Sequence, residues 1–165
     1  MKTKFTILAL LLCCCIATLR AETQPPDYSP LDFHALSDFP FDLPDVPYDQ
    51  KPDVKKLRPK ISSMIPKNVK ALDGHKVKIS GFMMPLDEQE GGTRKFILMR
   101  NQISCCFGGA NRLNEYIMVT MNGTKPAPFI ANVPMSVRGT LMVGPDFEDG
   151  VLNGIYQMAG EEVRP

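Results

Sequence analysis

The sequence has few of the residue types that most often build metal sites, disulfide frameworks and aromatic recognition surfaces. Its 165 residues include no tryptophan, two histidines and five cysteines. Three of the cysteines lie together at positions 13–15, in a segment that export would remove, so Cys105 and Cys106 keep no distant partner for a disulfide. The pair must be free thiols, a strained vicinal disulfide, metal ligands or links to another molecule.

Charge and aromatic content argue against nucleic acid as a partner. The formal net charge is +1, and removal of residues 1–21 would leave 16 basic and 18 acidic residues, a charge of −2. With no tryptophan and no strand that carries paired aromatics, the chain lacks the stacking platform that single-stranded nucleic acids require. No nucleophile–base pair, phosphate loop or pair of carboxylates at a meaningful spacing is present. We therefore predict no nucleic-acid partner and no catalytic residue.

The first 21 residues have the pattern of a secretory signal peptide. Two lysines precede an apolar run over residues 5–17, which is too short to span a bilayer comfortably, and the small residue Ala21 precedes a cleavage point. We predict a signal peptide over residues 1–21, a periplasmic or secreted protein, and no transmembrane helix in the mature chain. A lipid-anchored form is the weaker alternative, because Leu12 rather than a small residue precedes Cys13.

Residues 22–60 form a proline-rich, acidic stretch. Prolines at this density disfavour helices and sheet ladders, so we predict a linker before a folded domain of residues 61–165. A flexible tether is the plain interpretation, and a chain that starts near Ile61 is then expected to fold. The alternative is an arm that docks on a surface through its apolar side chains, which are Phe33, Leu36, Phe39, Phe41 and Leu43.

The folded domain begins with the signals of a short helix and continues with those of strands. Pro66 and Gly74 suit the first turn and the C-terminal cap of the helix. Strands are predicted over residues 76–85, 94–100, 116–121, 135–143 and 155–158, with turns at 144–146 and 148–150. This pattern predicts a mainly β fold. It favours a small five-stranded barrel of the oligonucleotide/oligosaccharide-binding (OB) type with a short N-terminal helix, preceded by the proline-rich arm; a sandwich is the alternative.

The two cysteines lie in a glycine-rich loop between the second and third predicted strands. Thiolates bind soft or borderline metal ions, but adjacent cysteines need help from other ligands. The predicted metal site consists of Cys105, Cys106, His75 and Glu115. The predicted binding loop consists of Phe107, Gly108, Gly109 and Asn114. The alternatives are that the turn histidine is only solvated and that the cysteines pack as small hydrophobes or form a redox pair.

Several motifs, taken in order, resemble one family of bacterial proteins. They are Gly81-Phe82-Met83-Met84-Pro85-Leu86, Cys105-Cys106-Phe107-Gly108 and Asn114-Glu115. Over about Ile61 to Val163 the chain resembles an uncharacterised domain family of secreted or lipid-anchored proteins with GFMxPL and CCF motifs. The resemblance implies an exported protein that accompanies components of ABC-type transporters, in some members with zinc supply. No catalytic activity is established for the family. Residues 110–113 depart from the proline-rich turn that is usual in the family.

The motifs and the resemblance lead to one functional hypothesis and two rivals. We expect a non-enzymatic periplasmic binding protein that handles zinc as an accessory to an ABC-type transporter. The first rival is a thiol-redox protein that uses the vicinal pair Cys105 and Cys106. The second is a structural adaptor whose cysteines only pack.

Overall fold

The fold is mainly β, as the sequence predicts. A computed structural model describes residues 27–43, 53–101 and 112–165, so the predicted signal peptide lies outside the described residues. No helix in these three ranges is long and apolar enough to cross a membrane. In chain order the elements are β1 (Ser29–Pro30), α1 (Phe33–Ser37), α2 (Val54–Met64), α3 (Lys67–Lys70), β2 (Lys76–Pro85), β3 (Lys95–Met99), β4 (Tyr116–Met121), β5 (Pro134–Glu148) and β6 (Val151–Arg164).

The six strands form one mixed sheet in the order β1-β2-β3-β4-β6-β5. An additional pairing joins β2 to β5, so the five longer strands form a closed cycle of neighbours. Within that cycle β4 and β6 are parallel, and the other neighbours are antiparallel. The short strand β1 adds to β2 in parallel. All five strands predicted from the sequence are present, but β5 and β6 are longer than the predicted residues 135–143 and 155–158.

Alternation along the strands builds the core. In β2, Val77 and Ile79 are buried whereas Lys78 and Ser80 are exposed, which is the period of two expected for a strand with one face inside. The other four long strands contribute to the same cluster of buried side chains. Its largest fully buried members from the strands are Ile79, Phe96, Leu98, Ile117, Met135, Leu141, Ile155, Tyr156 and Met158.

Residues 27–43, here called the arm, pack into this core rather than acting as a tether. Phe33, Leu36 and Phe41 are buried and belong to the same hydrophobic cluster as the strands. The buried hydroxyl of Tyr156 donates a hydrogen bond to the carbonyl of Leu36, at 2.7 Å. Of the two interpretations of the proline-rich stretch, the docked arm therefore holds for these residues. The prolines of this stretch lack a backbone N–H donor, which disfavours regular secondary structure. The apolar side chains between them can still be buried in the core.

The start of the arm also contacts the outer face of the sheet. The hydroxyl of Tyr28 donates to Glu161 at 2.7 Å. The side chains of Lys76 and Arg138 both lie 5.6 Å from the centre of the Tyr28 ring, in cation–π geometry. Leu31 then donates its backbone N–H to the carbonyl of Lys78 at 2.9 Å, next to the two-residue ladder of β1.

Helix α2 crosses the boundary predicted between residues 60 and 61. The carboxylate of Asp53 caps its first turn by accepting the backbone N–H of Lys55 at 3.1 Å. Ile61 is buried on its inner face, so the helix belongs to the domain from its first turn. The short helix predicted further on is α3, and it ends before Gly74, whose φ of 75° suits glycine at a chain reversal.

The turn predicted at residues 144–146 was wrong, because these residues lie inside β5. The pairing of β5 with β6 shifts register between Val143 and Asp146, which is a bulge or irregularity rather than a reversal. Arg58 of α2 holds this irregular backbone, since its Nη1 donates to the carbonyl of Pro145 at 2.7 Å. The chain reverses instead at residues 149–150, where Asp149 and Gly150 have φ of 51° and 86°. That second turn was predicted.

Candidate functional site

The strands β3 and β4 hold the two ends of the cysteine loop side by side. Met99 at the end of β3 pairs with Tyr116 at the start of β4. The backbone N–H of Arg100 then donates to the carbonyl of Glu115 at 3.3 Å. The loop itself lies outside the described residues, including the predicted site residues Cys105, Cys106, Phe107, Gly108 and Gly109. The structure therefore shows the residues that flank the loop, Met99 and Arg100 on one side and Glu115 and Tyr116 on the other, here called the frame of the loop.

Asn114, a predicted binding-loop residue, connects this frame to the arm. Its side chain is fully buried. Its Nδ2 donates to the carbonyls of Phe39 at 3.0 Å and Ser37 at 3.4 Å, whereas its buried Oδ1 accepts no hydrogen bond from any described residue. At the other end of the loop, the guanidinium of Arg100 lies 3.5 Å from the Ser37 hydroxyl. The arm thus contacts the residues that begin and end the loop.

His75 and Glu115 lie on different elements of the fold. His75 is exposed in the turn before β2, whereas Glu115 is half-buried beside the paired residues Met99 and Tyr116. Phe82 of β2 pairs with Met99, and His75 lies seven residues earlier, which is ~23 Å along a strand. No group of three or more histidine, cysteine, aspartate or glutamate side chains suitable for a metal ion occurs within the described residues. The four-residue metal site, which depends on the cysteines, stays a prediction.

Comparison with known proteins assigns the domain to a family. The sequence model of a family described as a protein of unknown function (DUF3299) matches residues 48–165. The chain belongs to the DUF3299 family. This confirms the resemblance to an uncharacterised domain family.

A solved structure supports the fold of this DUF3299 domain. It is a crystal structure of a DUF3299 family protein from Pseudomonas aeruginosa PAO1, with 21% sequence identity and a TM-score of 0.53. The similarity covers 85% of this chain and 97% of the other. No protein of curated function matches the chain.

The loop between β2 and β3 of the DUF3299 domain is held by one carboxylate. Oδ1 of Asp87 accepts hydrogen bonds from the Thr93 hydroxyl at 2.5 Å, from the Lys95 backbone N–H at 2.8 Å and from the Arg94 backbone N–H at 2.9 Å. These hydrogen bonds lower the pKa of the Asp87 carboxyl to about 2, and the bond from the Thr93 hydroxyl has the largest effect. The carboxylate is already committed to this loop, so it is a poor candidate for a metal ligand.

Replacing Asp87 with asparagine is expected to flatten the acid limb of the stability curve. A folded-state pKa of about 2 lies below the usual 3.8. Asp87 therefore contributes stability that is fully present above pH 4 and is lost as the pH falls from about 4 through about 2. Urea unfolding midpoints between pH 6 and pH 2 measure this, with Glu88→Gln in the same loop as the control. Equal acid limbs for wild type and Asp87→Asn would contradict the role of the carboxylate.

The DUF3299 domain also has a groove on one face of the sheet, with a volume of about 450 Å³. It was not predicted, because its lining comes from stretches that lie far apart in the sequence. The side chains that line it include Lys95 of β3, Thr120 of β4, Asp146, Phe147 and Glu148 of β5, and Asn153 and Gln157 of β6. A second cleft, of about 580 Å³, lies between the arm and α3.

Proposed function

We propose that this DUF3299 protein is a non-enzymatic periplasmic binding protein that handles zinc, as an accessory to an ABC-type transporter, through the loop that carries Cys105 and Cys106. The observation that carries the proposal is the fixed frame of that loop. Met99 and Tyr116 are paired, and the arm contacts the next residues at each end. Because the loop ends are held in this way, less conformational entropy is lost when two thiolates bind one metal ion.

We further propose that the five long strands form a barrel of the OB type. The pairing of β2 with β5 supports closure of the cycle, and a small five-stranded barrel is the usual arrangement for such a cycle. The parallel pairing of β4 with β6 lets β5 lie between β6 and β2, as a Greek-key connection requires. On this proposal the cysteine loop joins the second and third barrel strands.

The chemistry of adjacent cysteines favours a metal over a disulfide. A vicinal disulfide strains the peptide between the two residues, which makes it comparatively easy to reduce. Zinc would avoid that strain and protect both thiolates from oxidation outside the cell. Glu115 lies at the end of the loop and is the nearest described carboxylate in the sequence, whereas His75 lies in the turn before β2. We therefore assign the site to Cys105, Cys106 and Glu115, without His75.

The proposed compartment and partner rest on the sequence. The signal peptide predicted over residues 1–21 supports export, and the resemblance of the motifs supports a place beside an ABC-type transporter. The cysteine-free composition of the rest of the mature chain supports a role for the thiols other than a structural disulfide.

Changing both Cys105 and Cys106 to serine is expected to abolish stoichiometric zinc binding while the melting temperature stays unchanged. The reason is that the described residues hold no group of three or more histidine, cysteine, aspartate or glutamate side chains that could bind the metal in place of the cysteines. The measurement is a competition titration of reduced, mature protein against a chromophoric zinc chelator. His75→Ala is the matched control and should bind zinc as the wild type does, whereas Glu115→Gln should weaken binding.

Three results would count against the zinc site. Equal binding by the wild type and the double variant, or none by either, would reject it. A native protein that lacks two hydrogens by mass spectrometry would favour the thiol-redox rival. A double variant that fails to fold would favour cysteines that only pack.

A further inference from the structure

The groove on the sheet face differs from the cysteine loop in position and in chemistry. Its floor comes from strands, with Thr120 on β4 and Gln157 on β6. Lys95 lies on β3, and Asp146, Phe147 and Glu148 lie on the part of β5 that continues past its bulge. Strand side chains keep their positions better than loop side chains do, so the groove is suited to a ligand that needs a defined arrangement of contacts.

Two contacts from outside the groove fix the wall formed by β5. The guanidinium of Arg58 lies 5.2 Å from the centre of the Phe147 ring, in addition to its hydrogen bond with the carbonyl of Pro145. On the adjacent strand, the carbonyl of Asn153 accepts a hydrogen bond from the Tyr116 hydroxyl at 2.7 Å. The extension of the β5–β6 hairpin is therefore attached to α2 on one side and to β4 on the other.

The charges of the groove disfavour binding of the phosphate backbone of a nucleic acid. In the proposed OB-type barrel, on which this choice of ligand rests, β3 and β4 are the second and third strands, and such barrels bind oligonucleotides or oligosaccharides on the face of those two strands. Oligonucleotide binding depends on lysine and arginine side chains that neutralise phosphates. Among the described residues that line it, this groove offers one such cation, Lys95, against the two carboxylates of Asp146 and Glu148. A neutral ligand avoids that repulsion.

The amide side chains of the groove match a ligand rich in hydroxyl groups. Nδ2 of Asn153 donates to Glu148 at 3.0 Å, and Nε2 of Gln157 donates to the carbonyl of Gly144 at 3.3 Å. Each bond holds its amide in place and uses one of the two N–H groups, which leaves a donor and an acceptor oxygen on each side chain. A donor and an acceptor side by side can bind two neighbouring hydroxyls of a sugar. Phe147 adds an apolar surface of the kind on which sugar rings pack.

We propose that the groove binds a neutral oligosaccharide, with Asn153, Gln157 and the exposed Thr120 bonded to its hydroxyls. A sugar ring lies against the part of Phe147 that Arg58 leaves uncovered. The site is independent of the proposed zinc site, because no side chain is shared between them.

Titration of the mature protein with maltohexaose, cellohexaose and chitohexaose tests this, with binding followed by calorimetry in 150 mM salt. At least one hexasaccharide is expected to bind, with an affinity that stays constant as the salt is raised. Gln157→Ala, and separately Thr120→Ala, should weaken that binding about tenfold, the effect of losing one or two hydrogen bonds. Asn68→Ala, a polar change outside the groove, is the matched control and should bind as the wild type does. The Cys105→Ser/Cys106→Ser variant should also bind unchanged.

Several outcomes would overturn the proposal. One is that none of the three hexasaccharides binds. Another is that binding is unaffected by both groove variants, since the contact would then lie elsewhere. The third is that a twelve-residue oligothymidine binds to the groove with strong salt dependence and the sugars do not, which would assign the groove to a phosphate chain. Thr120 is exposed, so its variant keeps the test valid if Gln157→Ala proves unstable.

Discussion

Replacing Leu36 with alanine is expected to lower the free energy of unfolding by about 2–5 kcal/mol. The Leu36 side chain is 0% exposed and lies in the same buried cluster as the strands. Alanine would leave a cavity beneath the arm, next to the carbonyl that accepts the Tyr156 hydroxyl. Urea unfolding of the mature protein measures the change.

The matched control for Leu36 lies in the same arm. Leu43 is 49% exposed, so Leu43→Ala should change the free energy of unfolding by no more than about 0.5 kcal/mol. A small effect of both substitutions would show that the arm is a dispensable tether after all. In that case a chain starting at Asp53, which keeps α2 and its cap, would unfold at the same urea concentration as the mature protein.

Replacing Gly139 with alanine should cost about 3 kcal/mol or more, because β5 and β6 could no longer approach closely at this point. A Cβ at position 139 would lie 2.3 Å from the carbonyl oxygen of Ala159 and 3.0 Å from the Cα of Gly160. Both are backbone atoms of β6, so they cannot move aside without moving the strand. The site also coincides with a register shift between Arg138 and Gly139. Thermal unfolding monitored by circular dichroism measures the loss.

Gly154→Ala in β6 is the control for Gly139→Ala. A Cβ there would meet no atom closer than 3.4 Å, which is ordinary contact with the ring of Tyr116. Alanine also restricts the unfolded chain, so this variant should be as stable as the wild type or slightly more stable. If Gly139→Ala proves equally harmless, the close approach of β5 and β6 is not required for the sheet.

The sequence was a good guide wherever local pattern determines structure. The alternation of Val77 and Ile79 with lysine and serine predicted β2, because a strand with one face in the core imposes a period of two. The sequence was a poor guide to the arm. Prolines indicate only that regular secondary structure is interrupted, and they do not show whether Phe33 and Leu36 between them are buried. The bulge near Pro145 was misread for a similar reason: bulges and turns favour the same residue types.

The site was harder to predict than the strands, because it depends on which strand positions lie opposite each other. His75 and Glu115 were both chosen as ligands by residue type, and the structure places them on different elements, His75 in the turn before β2 and Glu115 just before β4. Asn114 was selected for a binding loop, and its amide turns out to hold the arm. No local sequence pattern predicts that Gln157 and Lys95 line the same groove, because this follows from the order of the strands in the sheet.

The packing of the arm has a consequence for the order in which the chain folds. Its contacts link residues at opposite ends of the sequence: Tyr28 bonds to Glu161, 133 residues later, and Leu36 to Tyr156, 120 residues later. The arm is synthesised first, yet its docking surface is complete only when the last strand has formed. Contacts of such long range form slowly, and the apolar side chains of the arm stay accessible to chaperones or to other nascent chains in the meantime. We therefore expect docking of the arm to be a late step of folding, because two of its hydrogen bonds need β6, the last strand of the chain.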